Sequence, residues 1–331
     1  MICMTSLIIT SISAPNAVLR RFAEACPQHG LDFIVIGDVK SPADFSLPGC
    51  RFVSIEEQDT LDFRLARILP KKHYARKNLG YLLAWKSDCI IETDDDNFPY
   101  DTFFTPRNRS VEAFTVGGKG WVNAYDYYSD DKLWPRGLPL EAIHNPTPPL
   151  SLTRQAVLAP VQQGLANENP DVDAVFRMTR ELPVNFRSAP PVALGEGAWC
   201  PFNSQNTTWF PEAFLLLYLP SYCSFRMTDI WRSFVAQRLL WTCGWPMLFH
   251  EATVWQERNE HNLLRDFSDE VPGYLHNAAM AHALEELDLK SGQEHLSENL
   301  FRCYQTLTER GWVGKEELPL VEAWIQDAEI R

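Results

Sequence analysis

The run Cys89-Ile90-Ile91-Glu92-Thr93-Asp94-Asp95-Asp96-Asn97 drives a short apolar segment straight into three consecutive carboxylates. Read as a buried strand, it delivers hard oxygen ligands to a site at its carboxyl end. Magnesium and manganese take oxygen donors and keep room for water and phosphate, so such a cluster suits a metal that bridges to a diphosphate. An acidic turn whose Asp and Asn merely cap the next segment is the competing reading.

The residues upstream favour the first reading. The periodicity of Lys71 to Lys86 predicts a helix with Ala75, Leu79, Leu82 and Leu83 on one apolar stripe. Tyr74, Arg76, Lys77 and Asn78 gather near its start, where they would meet the negative charge of a ligand held beside the carboxylates; a solvated basic face suffices for Lys71 and Lys72. Further upstream, Leu7 to Ile12 reads as a strand, Ala14 to Cys26 as a helix, and Asp32 to Ile36 and Arg51 to Ile55 as further strands. This alternation predicts an α/β fold with a mostly parallel central sheet. Ligands in such folds sit at the carboxyl ends of strands, which makes Thr10, Ser11 and Asp38 candidates to contact a nucleoside. Along an extended chain Asp94 and Asp96 project to one side and Asp95 to the other.

From Tyr74-Ala75-Arg76-Lys77-Asn78-Leu79-Gly80 to Glu92-Thr93-Asp94-Asp95-Asp96-Asn97 the chain resembles the STELLO family, plant Golgi proteins with bacterial relatives that share a glycosyltransferase-like domain. The likeness continues in Asn169-Pro170-Asp171-Val172-Asp173, Arg226-Met227-Thr228-Asp229-Ile230-Trp231-Arg232 and Val254-Trp255-Gln256-Glu257-Arg258-Asn259-Glu260-His261. These segments keep their order over roughly residues 5 to 270. More distantly, the Asp triplet resembles that of the reversibly glycosylated polypeptides, which include UDP-arabinopyranose mutases. The resemblance implies a GT-A (Rossmann-like) nucleotide-sugar fold and makes the triplet a DxD motif. It implies Asp96 as a direct ligand of Mn2+ or Mg2+, with Asp94 as a ribose or water-mediated contact and Asp95 beside them. A third ligand often comes from a later loop in this fold, and His261 is the candidate, with Arg258 facing the diphosphate. Asp229 is the candidate catalytic base or acceptor-binding carboxylate, although a place in the first turn of a helix, with Thr228 as its cap, explains a carboxylate equally well. Asp171 and Asp173 form a second Asp-x-Asp pair suited to donor or acceptor hydroxyls, or to pairing with Arg177.

Composition bounds the remainder. The chain has 331 residues, enough for a large core, and a formal charge of -13 that argues against general nucleic-acid binding. Its eight cysteines are dispersed without a Cys-x-x-Cys pair, as expected of reduced thiols in a cytoplasmic protein. No apolar stretch is long enough to span a bilayer, and the apolar start lacks the basic region of a leader, which leaves peripheral attachment open. Five prolines between 134 and 150 predict an ordered loop. After about residue 277 the pattern turns helical: Asn277 to Leu289, Glu294 to Arg310 and Lys315 to Ile330. The expected organisation is a glycosyltransferase domain over 1–276, with a nucleotide-binding half over 1–133 and an acceptor half over 150–276. A helical extension over 277–331 would serve as a cap or homo-oligomer contact.

Together these features predict a metal-dependent glycosyltransferase acting on a nucleotide-sugar donor and a glycan or glycoconjugate acceptor. A nucleotide-sugar mutase and a non-catalytic scaffold for glycan-synthesising enzymes are the alternatives.

Overall fold

The computed structural model describes residues 4–257 and 262–331. Thirteen strands lie among the described residues: β1 (Thr5–Thr10), β2 (Leu31–Ile36), β3 (Arg51–Val53), β4 (Cys89–Thr93), β5 (Asn97–Pro99), β6 (Ser110–Val116), β7 (Gly120–Trp121), β8 (Gln155–Leu158), β9 (Val161–Asn167), β10 (Val192–Leu194), β11 (Ala198–Trp199), β12 (Asn206–Trp209) and β13 (Met247–Gln256). The helices are α1 (Ala17–Ala25), α2 (Ile55–Thr60), α3 (Arg64–Ile68), α4 (Lys77–Leu83), α5 (Ala174–Thr179), α6 (Thr228–Thr242), α7 (Leu263–Glu285), α8 (Leu296–Glu309) and α9 (Glu317–Glu329).

The α/β opening forms as the sequence predicts. β3, β2, β1 and β4 lie side by side, all parallel, and alternation along β1 splits their apolar residues between two faces. Leu7 and Ile9 pack with Phe22 of α1, while Ile8 packs with Leu79 and Leu82 of α4. Beyond β4 the expectation of a mostly parallel sheet fails. The order continues β12-β9-β13-β10-β6-β8, with β5 on β13, and five of the ten pairings in this sheet are antiparallel. After β4 the chain no longer inserts a helix between each pair of strands, so the geometric reason for parallel pairing is gone.

The basic helix expected over Lys71 to Lys86 is shorter and comes in two pieces. Lys72 adopts φ 61°, the His73 imidazole caps a 3-10 turn over Tyr74–Arg76, and α4 follows. Gly80 lets this short helix lie directly on the sheet: a Cβ there would stand 2.6 Å from Ile8 Cγ2 and 2.9 Å from Ile36 Cγ1. That close approach sets the height at which Lys77, three residues earlier, meets the end of β4.

The C-terminal helices are built into the same core. α7 runs through the expected boundary at 276/277, and α6 is buried on nearly every side, which is why its sequence shows no single apolar stripe. Trp324 of α9 packs edge-on against Trp85 at 5.5 Å, and Tyr304 of α8 against Tyr218 at 5.2 Å. Asp327 accepts the backbone N–H groups of Arg64 and Leu65, both at 2.9 Å, and so caps α3 from 262 residues away. Glu317 accepts the N–H groups of Ser221 and Tyr222 and the Tyr218 hydroxyl.

Two outcomes follow from this packing. Gly80→Ala forces α4 off the sheet and costs about 1–3 kcal/mol in urea denaturation, in line with other overpacked interiors. Burial pushes the Glu317 carboxyl up to about 7, above its value in an unfolded chain. Its contribution to stability is therefore fully present below about pH 4 and lost as the pH rises through 7. Glu317→Gln should flatten that part of the stability profile, and an unchanged slope between pH 4 and 7 would contradict the assignment.

Candidate active site

The Asp triplet lies on the rim of a cleft of about 430 Å³, which it shares with Thr10, Tyr74, Arg136, Asp171, Ser204 and Asp229 among others. The triplet is a turn. β4 ends at Thr93, and the Asn97 N–H returns to the Asp94 carbonyl at 3.4 Å before β5 begins. The expected alternation of an extended strand does not apply, and all three carboxyls line the cleft.

Each carboxyl has a different neighbour. Lys77, fully buried, donates from Nζ to Asp94 Oδ1 and to the Thr93 carbonyl, both at 3.0 Å. Ser11 donates to Asp95 Oδ2 at 2.5 Å, and Asn16, the N-cap of α1, donates to the Asp95 carbonyl at 2.7 Å. Asp96 Oδ2 accepts from Gln256 Nε2 at 3.0 Å, while its Oδ1 is buried with no hydrogen-bond partner among the described residues. Burial raises all three carboxyls above the ordinary range. Lys77 opposes the rise at Asp94, and Ser11 opposes it at Asp95. Asp96, crowded by Asp94 in addition to burial, is pushed up to about 7.

The opposite wall is organised by Arg136. Its guanidinium donates through Nε and Nη2 to the two oxygens of Asp171, both at 2.8 Å, and through Nη1 and Nη2 to those of Asp229, both at 3.0 Å. It also donates to the Arg226 carbonyl. Gly137 beside it takes φ 93° and packs so closely on α6 that a Cβ would stand 2.4 Å from Ile230 Cγ2. Asp229 further accepts from the Ser204 N–H at 3.2 Å and the Tyr74 hydroxyl at 3.3 Å. Burial disfavours its charge, but Arg136 outweighs burial and holds Asp229 well below the usual carboxylate range.

That environment works against the proton-accepting role expected of Asp229, since a strongly acidic carboxyl is a poor base at neutral pH. Thr228 is the first helical residue of α6 and does not cap it. Other expected donor contacts point elsewhere. Arg76 is buried against Gln58 and the Leu69 carbonyl, Asn78 pairs with both backbone groups of Leu219, and Asp38 accepts the His73 N–H at 2.9 Å. Asp173 caps α5 and accepts from Trp134, so it is a folding residue, whereas Asp171 faces the cleft. Arg258 and His261 lie outside the described residues. Among the described residues no three His, Cys, Asp or Glu side chains are arranged to hold a metal ion, and no helix is long and apolar enough to cross a membrane.

Sequence reasoning missed Arg136, Ser204, Gln205 and Gln256. Two of them carried a signal: Arg136 stands between Pro135 and Gly137, two residues that fix backbone direction, within the proline-rich loop, and Gln256 lies inside the Val254 to His261 segment that carries the family resemblance. Arg136→Met should cost about 3–5 kcal/mol at pH 7, because it strands two carboxylates away from water. The lowered Asp229 contributes stability above its unfolded value and loses it as the pH falls. The deficit should therefore shrink in acid, and a deficit independent of pH would show that Asp229 is not the group concerned.

The family model for STELLO glycosyltransferases matches residues 226–330, from the 3-10 turn that leads into α6 through α9. Over 90% of its length the chain is 28% identical to probable glycosyltransferase STELLO2 and 29% identical to probable glycosyltransferase STELLO1, both of Arabidopsis thaliana. It spans 41% of the length of each of these relatives. Among solved structures, glucosyl-3-phosphoglycerate synthase from Mycobacterium tuberculosis, in complex with Mn2+, UDP-glucose and phosphoglyceric acid, superposes with a TM-score of 0.45 at 11% identity, covering 84% of this chain and 80% of that one. Mannosyltransferase PcManGT from Pyrobaculum calidifontis, in complex with GDP-Man and Mn2+, gives 0.40 at 8% identity over 98% and 86%. Likeness at that level transfers no residue roles. By sequence, the chain is related to the STELLO glycosyltransferases along most of its own length.

Proposed function

We propose that the chain is a glycosyltransferase of the GT-A type that moves a sugar from a nucleoside diphosphate sugar to a hydroxyl acceptor, with Mn2+ or Mg2+ at the Asp triplet. One observation carries this reading: Asp96 keeps a buried carboxylate oxygen with no partner among the described residues, in a cluster of three carboxyls that burial has pushed above their ordinary range. Such a cluster is short of positive charge, and a divalent cation supplies it. Asp96 would hold the ion, with Asp94 beside it through the oxygen that Lys77 leaves unused. With so few protein ligands, the cation suits water and phosphate oxygens as its remaining partners. When bound, such an ion offsets the charge that develops on a departing diphosphate.

The chain's own residues do the rest. Lys77 keeps Asp94 ionised and fixed, and Ser11 and Asn16 hold the turn at Asp95. Thr10 and Gln205 line the cleft as hydroxyl and amide partners for a nucleoside or sugar. Arg136 holds Asp171 and Asp229 in place on the acceptor side and keeps Asp229 ionised, so that these carboxyls orient hydroxyl donors.

Calorimetric titration with UDP-, GDP-, CMP- and TDP-sugars, each with Mn2+ and with chelator, tests this. One donor should bind in a Mn2+-dependent way. Asp96→Asn should weaken that binding by about 100-fold, a typical effect for a metal-site residue, while the thermal midpoint stays level or rises because a like charge has gone. Undiminished binding by the variant would remove the metal assignment, and absence of any binding by the folded chain would remove the donor site.

A further inference from the structure

Directly beneath the cleft lies a second charged layer that the chemistry above does not use. Glu92 is fully buried on β4, two residues before Asp94, and like Asp94 it meets a side chain of α4, Tyr81 where Asp94 meets Lys77. Tyr81 is fully buried on α4, four residues after Lys77, one helical turn down on the same face, and its hydroxyl donates to Glu92 Oε2. Arg232 is buried on α6, three residues after Asp229; it donates from Nη1 to Glu92 Oε2 at 3.0 Å and forms an ion pair with Oε1 at 2.8 Å. The upper layer is Lys77, Asp94 and Asp229, and the lower layer is Tyr81, Glu92 and Arg232. α4 and α6 each supply a member of both layers about one turn apart, and β4 carries Glu92 and leads directly into Asp94. Trp209 of β12 completes the lower layer, donating to Glu92 Oε1 at 2.9 Å.

Stability does not account for this arrangement. A buried ion pair gains little over apolar residues of the same volume, because both charges are taken out of water. Among the described residues Arg232 finds no acceptor for Nε or Nη2, and its guanidinium lies over the rings of Trp209 at 5.0 Å and Phe202 at 5.8 Å. A slot lined that way would accept an apolar side chain. What the pair does is tie β4, α4 and α6 together at a defined spacing, immediately below the groups those elements present to the cleft.

We propose that Glu92, Arg232 and Tyr81 are positioning residues that fix the Asp94 turn relative to Lys77 and to the Arg136–Asp229 wall. The proposal rests on the reading of the triplet as a cation and donor site, and its test separates the two. In Glu92→Gln/Arg232→Met, glutamine keeps hydrogen-bonding partners for Trp209 and Tyr81, and methionine fills the slot between the rings, so the tie is cut with little loss of packing. The readouts are thermal unfolding, amide hydrogen exchange over residues 94–97, and titration with Mn2+ alone. The thermal midpoint should stay level or rise, exchange over 94–97 should quicken at least 10-fold, and the Mn2+ dissociation constant should rise at least 10-fold. Arg232→Lys, which keeps the charge on a shorter reach, should move exchange in the same direction by a smaller factor, and it serves alone if the double variant does not fold. A folded variant with unchanged exchange over 94–97 overturns the proposal. Faster exchange in the variant, combined with no Mn2+ binding by the unaltered chain, removes the cation site and leaves the positioning layer standing.

Discussion

A carboxylate withdrawn from water must be met by donors or by a cation, and around this cleft the aspartates are met one at a time by residues from different parts of the chain. Asp94 has Lys77 from α4, Asp95 has Ser11 from the end of β1, and Asp171 and Asp229 share Arg136 from a proline-rich loop. Each pairing requires the elements to approach closely. Gly80 allows it for α4 on the sheet, and Gly137 for the Arg136 segment on α6. The layout of the cleft is thus a solution to a charge problem, and Asp96 is the one member of the triplet with a fully buried oxygen that finds no partner among the described residues.

The C-terminal helices belong to that solution at one remove. Glu317 holds the backbone of Ser221 and Tyr222, from which the chain runs on to Phe225, Arg226 and the start of α6. Asp327 holds the start of α3, beside the segment that leads to Tyr74 and α4. Both carboxylates look inward and act on backbone N–H groups, so a segment that reads as an appendage by pattern alone sets the ends of elements that face the cleft. The match of the STELLO model to residues 226–330 covers this same stretch, α6 together with α7 to α9.

How much of this was legible depends on the range of the interaction. The strand-helix-strand opening and the triplet at the end of β4 were readable because hydrophobic periodicity and a run of carboxylates are local signals. Lys77 was legible as a basic residue near the triplet, but where a ligand's charge was expected as its partner it meets Asp94 and the Thr93 carbonyl. The antiparallel half of the sheet was not legible, because short strands such as Val192–Leu194 and Asn206–Trp209 carry no periodicity of their own and are placed by pairing with partners far away in sequence. Arg76 and Asn78 were misread because a basic or amide residue near a site looks the same whether it turns toward a ligand or back toward a carbonyl. The structure turns both back. Asp173 and Asp171 differ by two residues and by one capped helix, which no composition rule separates.

Asp229 shows where sequence logic and local physics part. A carboxylate in the first turn of a helix, in the setting of a known motif, reads as chemistry. Yet a guanidinium as little exposed as that of Arg136, 7% by side chain, cannot be neutralised by losing a proton and so needs anions around it. Asp171 satisfies one edge of the fork and Asp229 the other, with the start of α6 favouring the negative charge. An amide at 229 would keep the shape and leave Arg136 with half its counter-charge. Asp229 is therefore the counter-ion of the residue that forms the cleft wall. Any part it takes in the proposed transfer comes through a charge held in place, because moving toward a substrate hydroxyl would mean releasing Arg136.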